Sequence, residues 1–228
     1  MTYDLYIGAR TYSSWSLRGW LMIAKFNLPA KVHMVDLYGS DMARDLAHLA
    51  PARLVPVLRT PEGDAVQDTL AIAETLAERH PKAGLWPADA SARMLARWLV
   101  AEMHSGFGNL RNDCPMNLAH RWVGFEPSVG VLDDLKWIEE LWAAARKKFG
   151  GDGPWLFGEY SLADVFYAPV AARIACYELP VSKAAQAYVQ AHLNDPAFRE
   201  WRAEGAKQII LPKPYQMPLE TAPWPVAD

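Results

Sequence analysis

Apolar and polar positions change rhythm once along the chain. In residues 1–80 short apolar runs alternate with amphipathic stretches. Tyr3–Gly8 reads as a strand, and Ser14–Phe26 as a helix with Leu17, Leu21 and Ala24 at helical spacing. Lys31–Leu37 reads as a second strand whose apolar face is marked by Val32, Met34 and Leu37. Asp41–Leu49 reads as a short helix capped by Ser40 or Asp41. LVPVLRT is a strand, PEGD a turn carrying Gly63, Ala65–Val66 a short last strand, and Thr69–Arg79 a helix that Pro81 stops. The order β-α-β-α-β-β-α has topological consequences. Strands joined through a helix pair in parallel with a right-handed crossover, whereas strands joined by a tight turn form a hairpin.

HPKAGLWPADA, residues 81–90 at its centre, reads as a linker. From residue 91 to about 205 the pattern is helical. Ala92–Met103 carries Met94, Leu95, Trp98 and Leu99 on one apolar face. A long helix starts at Ser128, runs through Val131, Leu135, Ile138 and Leu141, and ends in Lys147, Lys148 and Gly150, where cations and glycine suit a C-terminus. Asp195-Pro196 opens a last helix. Residues 206–228 are proline-rich and read as an irregular tail. The expected architecture is α/β plus all-α.

A net charge of −3 and a pI near 6.1 argue against nucleic acid or an anionic membrane surface as the main partner, since both ask for a concentrated basic face. No apolar run reaches membrane-spanning length, and the N-terminus lacks a basic-then-apolar leader, so a cytoplasmic protein is expected. Cys114 and Cys176 are far apart, without CxxC spacing, and the six histidines form no ligand motif; no metal is expected. The ten tryptophans read as core and interface packing.

The chemistry concentrates in a few stretches. In TYSSWSLR, Thr11, Tyr12, Ser13, Ser14 and Ser16 crowd a strand-to-helix junction. One serine suffices to cap a helix, and Ser14 is the expected N-cap; the cap leaves Ser13 unexplained. Pro56 inside LVPVL removes a ladder donor, which fits a cis Val55–Pro56 bond. Asp68-Thr69 opens a helix, where amides and a carboxylate suit an anion and an ammonium group. In SLAD, Ser161 and Asp164 make a capping box, a folding element.

Taken in order, TYSSWSLR, LVPVL, QDTLAIAETLAERH and PWLFGEYSLADVFYAP resemble the cytosolic glutathione S-transferase family over roughly residues 1–205. SSWS is similar to the SSCS motif of the zeta class, with Trp15 in place of its cysteine. The resemblance implies a thioredoxin-like N-terminal domain, an all-helical C-terminal domain and a homodimer. It implies glutathione as co-substrate, its sulfur held by a serine hydroxyl. Arg18 lies four residues after Ser14 and five after Ser13, so either fits; the favoured activator is Ser14, with Ser13 second. Val55 and Pro56 would meet the cysteinyl part, and Asp68 and Thr69 the γ-glutamyl end. Leu54 stands where many relatives carry Lys or Gln for the glycyl carboxylate; Arg53, Arg44 or His48 would substitute. Trp15, Met103, His104, Phe107, Arg111 and Arg173 would wall the pocket for a small electrophile.

The energetics allow this. Lowering a thiol pKa from about 8.5 to about 6.5 takes roughly 2.7 kcal/mol. A hydrogen bond to a charged group offers about 1.5–3 kcal/mol and a helix N-terminus about 0.3–1. Two other readings stay open: a zeta-type cis-trans isomerase of an enone diacid that uses glutathione catalytically, and a non-catalytic interaction module.

Overall fold

A computed structural model describes residues 2–39, 42–208 and 212–225. The chain folds as β1 (Tyr3–Ile7), α1 (Ser14–Ala24), β2 (Ala30–Met34), α2 (Met42–Leu46), β3 (Val57–Arg59), β4 (Ala65–Gln67) and α3 (Thr69–Arg79). The sheet order is β2-β1-β3-β4. β1 pairs in parallel with β2, joined through α1, while β3 and β4 form the antiparallel hairpin. This is the expected βαβαββα order. The expected cap at Ser40 or Asp41 lies outside the described residues.

Side-chain alternation in β1 builds two layers. Leu5 and Ile7 are wholly buried in the main core with Leu17 and Leu21 of α1 and Ile72 and Leu76 of α3. Tyr6 points the other way, onto Val35, Leu46, Leu49 and Val57. The expected apolar face of β2 is not buried. Val32 and Met34 stand in register beside Leu5 and Ile7, but on the edge strand, where they stay 37% and 47% exposed.

The second half comprises α4 (Ala90–Ser105), α5 (Gly108–Asp113), a short strand β5 (Arg121–Val123), α6 (Val129–Phe149), α7 (Leu162–Tyr177), α8 (Lys183–Asn194) and α9 (Pro196–Ala206). The fold is thus a thioredoxin-like α/β layer followed by helices. At its centre lies α7, apolar on all sides and packed against α1, α4 and α8. α6 buries the expected Val131, Leu135, Ile138 and Leu141. α4 buries only part of the expected face, Leu99 fully and Leu95 partly. Its buried line runs through Ala92, Ala96, Leu99, Val100 and Met103, while Met94 and Trp98 are exposed. Alanine carries too little apolar area to mark a core face by pattern, and the larger side chains misdirect the reading.

The tail is more ordered than its prolines suggested. After a helical turn at Lys213–Tyr215, residues Glu220–Ala222 form β6, antiparallel to β5. Arg121 Nε donates to Pro223 O at 3.0 Å, and the buried Trp224 ring lies under the Arg202 guanidinium. A three-residue strand exists only through its partner, so local composition does not reveal it.

The capping box at the start of α7 is a fully buried knot. Asp164 Oδ2 accepts from Ser161 N at 2.9 Å and from Ser161 Oγ at 3.2 Å, while Oδ1 accepts from Leu156 N at 3.1 Å and Tyr188 Oη at 2.8 Å. Burial pushes the carboxyl up to about 6 against the pull of those hydrogen bonds. Asp164→Ala strands four buried donors, so urea denaturation should show a loss of about 3 kcal/mol or more. A loss under about 1 kcal/mol would mean that the knot contributes little to the fold.

Candidate functional site

The junction between β1 and α1 is built by backbone demand. The first amides of a helix have no partner within it. Ser13, not Ser14, is the N-cap: its Oγ accepts from Ser16 N at 3.2 Å in extended backbone geometry (φ −84°, ψ 93°). Its own proton goes to Ser16 Oγ at 2.8 Å, and Ser16 Oγ in turn accepts from Gly8 N at 2.9 Å. Ser13 and Ser16 are therefore committed to the turn. Ser14, the first helical residue, is half-buried, and its hydroxyl has one neighbour among the described residues: Arg173 Nη2 at 3.5 Å. The expected cap shifts by one residue because the turn closes through Ser13 N to Ala9 O and Ser14 N to Tyr12 O.

The second half of the chain holds this loop. Thr11 Oγ1 donates to Gly205 O at 2.9 Å, Trp201 Nε1 to Arg10 O at 2.8 Å, and Leu118 N to Thr11 O at 3.1 Å. Tyr12 packs at 4.6 Å, centroid to centroid, on Tyr215 of the tail. Tyr38 closes an aromatic triad with both.

A cavity of about 480 Å³ opens between the sheet layer and the helices. Ser13, Ser14, Trp15, Val55, Pro56, Asp68, Thr69, Arg111 and Arg173 all line it. Val55–Pro56 is cis, and Val55 precedes β3, outside the ladder that starts at Val57. Gly19 of α1 lets this segment close in, since a Cβ there would stand 2.9 Å from Pro56 Cβ.

At one end Asp68 caps α3, its Oδ1 accepting from Leu70 N at 2.8 Å and Ala71 N at 3.3 Å. Its φ of +82° is a strained setting for a residue with a side chain, of the kind that clusters at functional sites. Next to it, Thr69 Oγ1 is buried without a hydrogen-bond partner among the described residues. An acidic group and an orphaned hydroxyl at a helix N-terminus suit the two charges of an amino-acid end: ammonium on Asp68, carboxylate on Thr69 and the first amides of α3.

The lining also carries cations. Arg173 is 4% exposed, anchored by Nε to Cys114 O at 2.8 Å and Nη1 to Pro169 O at 3.3 Å. Burial, then the charge of Arg111, lowers its pKa to about 10. Arg111 lies over the Trp15 ring, 5.0 Å from its centroid. Behind the wall Arg18 is stacked between Trp15 and Phe166, its pKa brought down to about 9 first by burial and then by Arg173 and Arg111. Arg111 and Arg173 line the cavity with Arg18 behind them, and among the described residues none of the three is in an ion pair with a carboxylate, which favours an anion there.

Four expected site residues stand elsewhere. Met103 is wholly buried in the core, Phe107 is buried at the start of α5 with φ +56°, and His104 sits behind Asp68 rather than in the wall. Arg53 is exposed, its backbone N–H bound to Gln67 Oε1 at 2.6 Å, and it does not line the cavity. Neither do Arg44 and His48; His48 Nε2 pairs with Tyr6 Oη at 3.1 Å. All of these lie on the right segments, but helical periodicity does not say which face meets a cavity that two domains share. Tyr12, Leu37, Met42, Gln67, Asn112, Pro115, Met116 and Tyr215 also line it. No sequence signal pointed to the tail's Tyr215, while Gln67 stood next to a named pair.

Similarity to known proteins follows the same lines. Residues 12–79 match the family model of the glutathione S-transferase N-terminal domain. Over this segment the chain is similar to that family. It is 33% identical over 129 residues to a maleylacetoacetate isomerase of Pseudomonas aeruginosa, covering 55% of this chain and 60% of that one. A probable maleylacetoacetate isomerase of Caenorhabditis elegans is 32% identical over 108 residues, 47% of this chain and 49% of the relative. The chain thus spans about half to three fifths of the length of the curated relatives it matches. Its fold is that of a glutathione transferase homolog from Burkholderia gl BGR1, solved with bound glutathione (TM-score 0.66, 23% identity, 91% of this chain and 99% of that one).

Proposed function

We propose that the protein is a glutathione-dependent enzyme that activates the glutathione thiol with the Ser14 hydroxyl and presents it to a small electrophile. The observation that carries this reading is the Ser14 hydroxyl at the start of α1, whose proton has no acceptor among the described residues. It faces a cavity whose far end offers Asp68, the orphaned Thr69 hydroxyl and the α3 amides. A γ-glutamyl group fits that far end, its ammonium on Asp68 and its carboxylate on Thr69. Val55 and Pro56 lie between and would flank the cysteinyl unit. The sulfur then falls near Ser14.

Ser14 works by donating. Its proton is uncommitted, whereas that of Ser13 is held by Ser16. A donated hydrogen bond, the α1 N-terminus and the nearby Arg173 charge all favour thiolate over thiol. No protein base is required, because the thiol proton leaves to solvent. Arg111, Arg173 and Trp15 would hold the electrophile. In transfer, the thiolate forms a C–S bond while a leaving group departs with its electron pair, or a conjugated carbon takes up a proton. The same reading makes the protein a cytoplasmic homodimer, supported by the apolar Met94 and Trp98 left exposed on α4 beside Trp137 of α6.

A second reading is favoured by the names of the curated relatives together with the paired arginines. It is a glutathione-dependent isomerase of an enone diacid. The thiolate would add to the conjugated bond, the bond would rotate, and elimination would return the thiol. The readings differ in stoichiometry. Incubation with a cis-enone diacid should consume no free thiol if the protein isomerises, while transfer to an electrophile consumes one thiol per turnover.

The serine assignment has its own test. In Ser14→Ala, the pKa of bound glutathione, followed by ultraviolet thiolate absorbance, should rise by about 1–2 units, with kcat/KM down roughly 10–100-fold and affinity nearly unchanged. Ser13→Ala should instead lower stability by about 1 kcal/mol while the thiol stays ionised. A reversal of these two phenotypes would transfer the activating role to Ser13.

A further inference from the structure

His104 is a residue without a stated task. It projects from α4, in the helical half, and its Nε2 lies 3.2 Å from Asp68 Oδ2, on the sheet half. The two oxygens of Asp68 are thus divided: Oδ1 belongs to the amides of α3, and Oδ2 meets the imidazole. Of the two ring nitrogens it is Nε2 that faces this carboxylate. Nδ1 is buried, with no hydrogen-bond partner among the described residues.

The surroundings keep the ring neutral. Trp15 of α1 meets it edge-on at 5.4 Å, and Phe166 of α7 lies 6.3 Å away. The charged groups acting on it are Asp68 from the start of α3, Arg18 from α1 and Arg111 from α5. Burial, then the two arginines, lower its pKa, against the opposing effect of Asp68. A neutral donor aims a carboxylate without cancelling its charge, which a lysine or arginine at this place would do.

We propose that His104 is a positioning residue, which reaches across the domain boundary to fix the Asp68 carboxylate so that it receives the ammonium of the γ-glutamyl group. This rests on the glutathione reading and adds to it a cross-domain contact that tunes recognition of the peptide's amino end. Asp68 is 46% exposed at its side chain and lines the cavity, so a ligand ammonium reaches it while His104 holds it from behind. Protonating His104 places a second cation on the same oxygen pair. Affinity for the ammonium therefore falls as pH drops below the ordinary histidine range, and recovers as the ring deprotonates.

The test is calorimetric titration of S-methylglutathione, which has no thiol to ionise, and of its glutaryl analogue, which lacks the amino group. Wild type, His104→Ala and His104→Gln are compared between about pH 5.5 and 8. His104→Ala should bind S-methylglutathione about five- to tenfold more weakly and the glutaryl analogue within about twofold of wild type. His104→Gln, whose amide N–H can replace Nε2–H, should restore affinity at neutral pH. It should also abolish the weakening that wild type shows towards pH 5.5. Equal effects on both probes, or none on S-methylglutathione, would overturn the proposal. So would an unchanged pH profile in His104→Gln, which decides the matter if the alanine variant does not fold. If wild type binds neither probe, the glutathione reading itself falls, and this proposal with it.

Discussion

The backbone amides at the start of α1 and α3 cannot be satisfied inside their own helices, and the molecule is arranged so that both open on one cavity. A loop that exposes helix amides has little to hold it locally. Here the helical half supplies the hold: Trp201 and Gly205 of α9 grip Arg10 and Thr11, and Leu118 takes the next backbone oxygen. The sheet contributes the rest through Gly19, which admits Pro56 against α1. The cavity is the space left when these constraints are met, so its two polar ends are fixed by the same contacts that join the domains.

Charge follows from that geometry. The walls also carry apolar groups, Leu37, Met42, Leu54 and Met116 among them. Charged recognition rests on Asp68 and on the guanidiniums of Arg111 and Arg173. Burial weakens the hold of Arg18 and Arg173 on their protons. An anion placed in the cavity beside Arg173 offsets that cost, which is why the surroundings of Ser14 suit a thiolate or a carboxylate better than a neutral group.

Much of the architecture was legible in the sequence because it rests on local rules. Turn chemistry and strand spacing gave the hairpin of β3 and β4, and Ser161 with Asp164 announced the start of α7. Failures came where tertiary context decides. Val32 and Met34 carry an apolar pattern onto an uncovered edge, and alanines 92 and 96 hide the buried line of α4. The strand at Glu220–Ala222 needs β5 to exist. Ser14, Pro56 and Thr69 all line the cavity, though the capping role expected of Ser14 falls to Ser13. Met103, His104 and Phe107 were placed one face too far forward, and the distant Tyr215 was unreachable by any local rule.

The crystal structure of the complex with S-methylglutathione would test the central claim most directly. The account predicts the sulfur within about 3.5 Å of Ser14 Oγ and the γ-glutamyl ammonium against Asp68, with the peptide lying along Val55 and Pro56. A ligand bound in the opposite sense, or with its sulfur beside Ser13 or remote from α1, would contradict the claim that Ser14 is the group prepared to receive a thiolate.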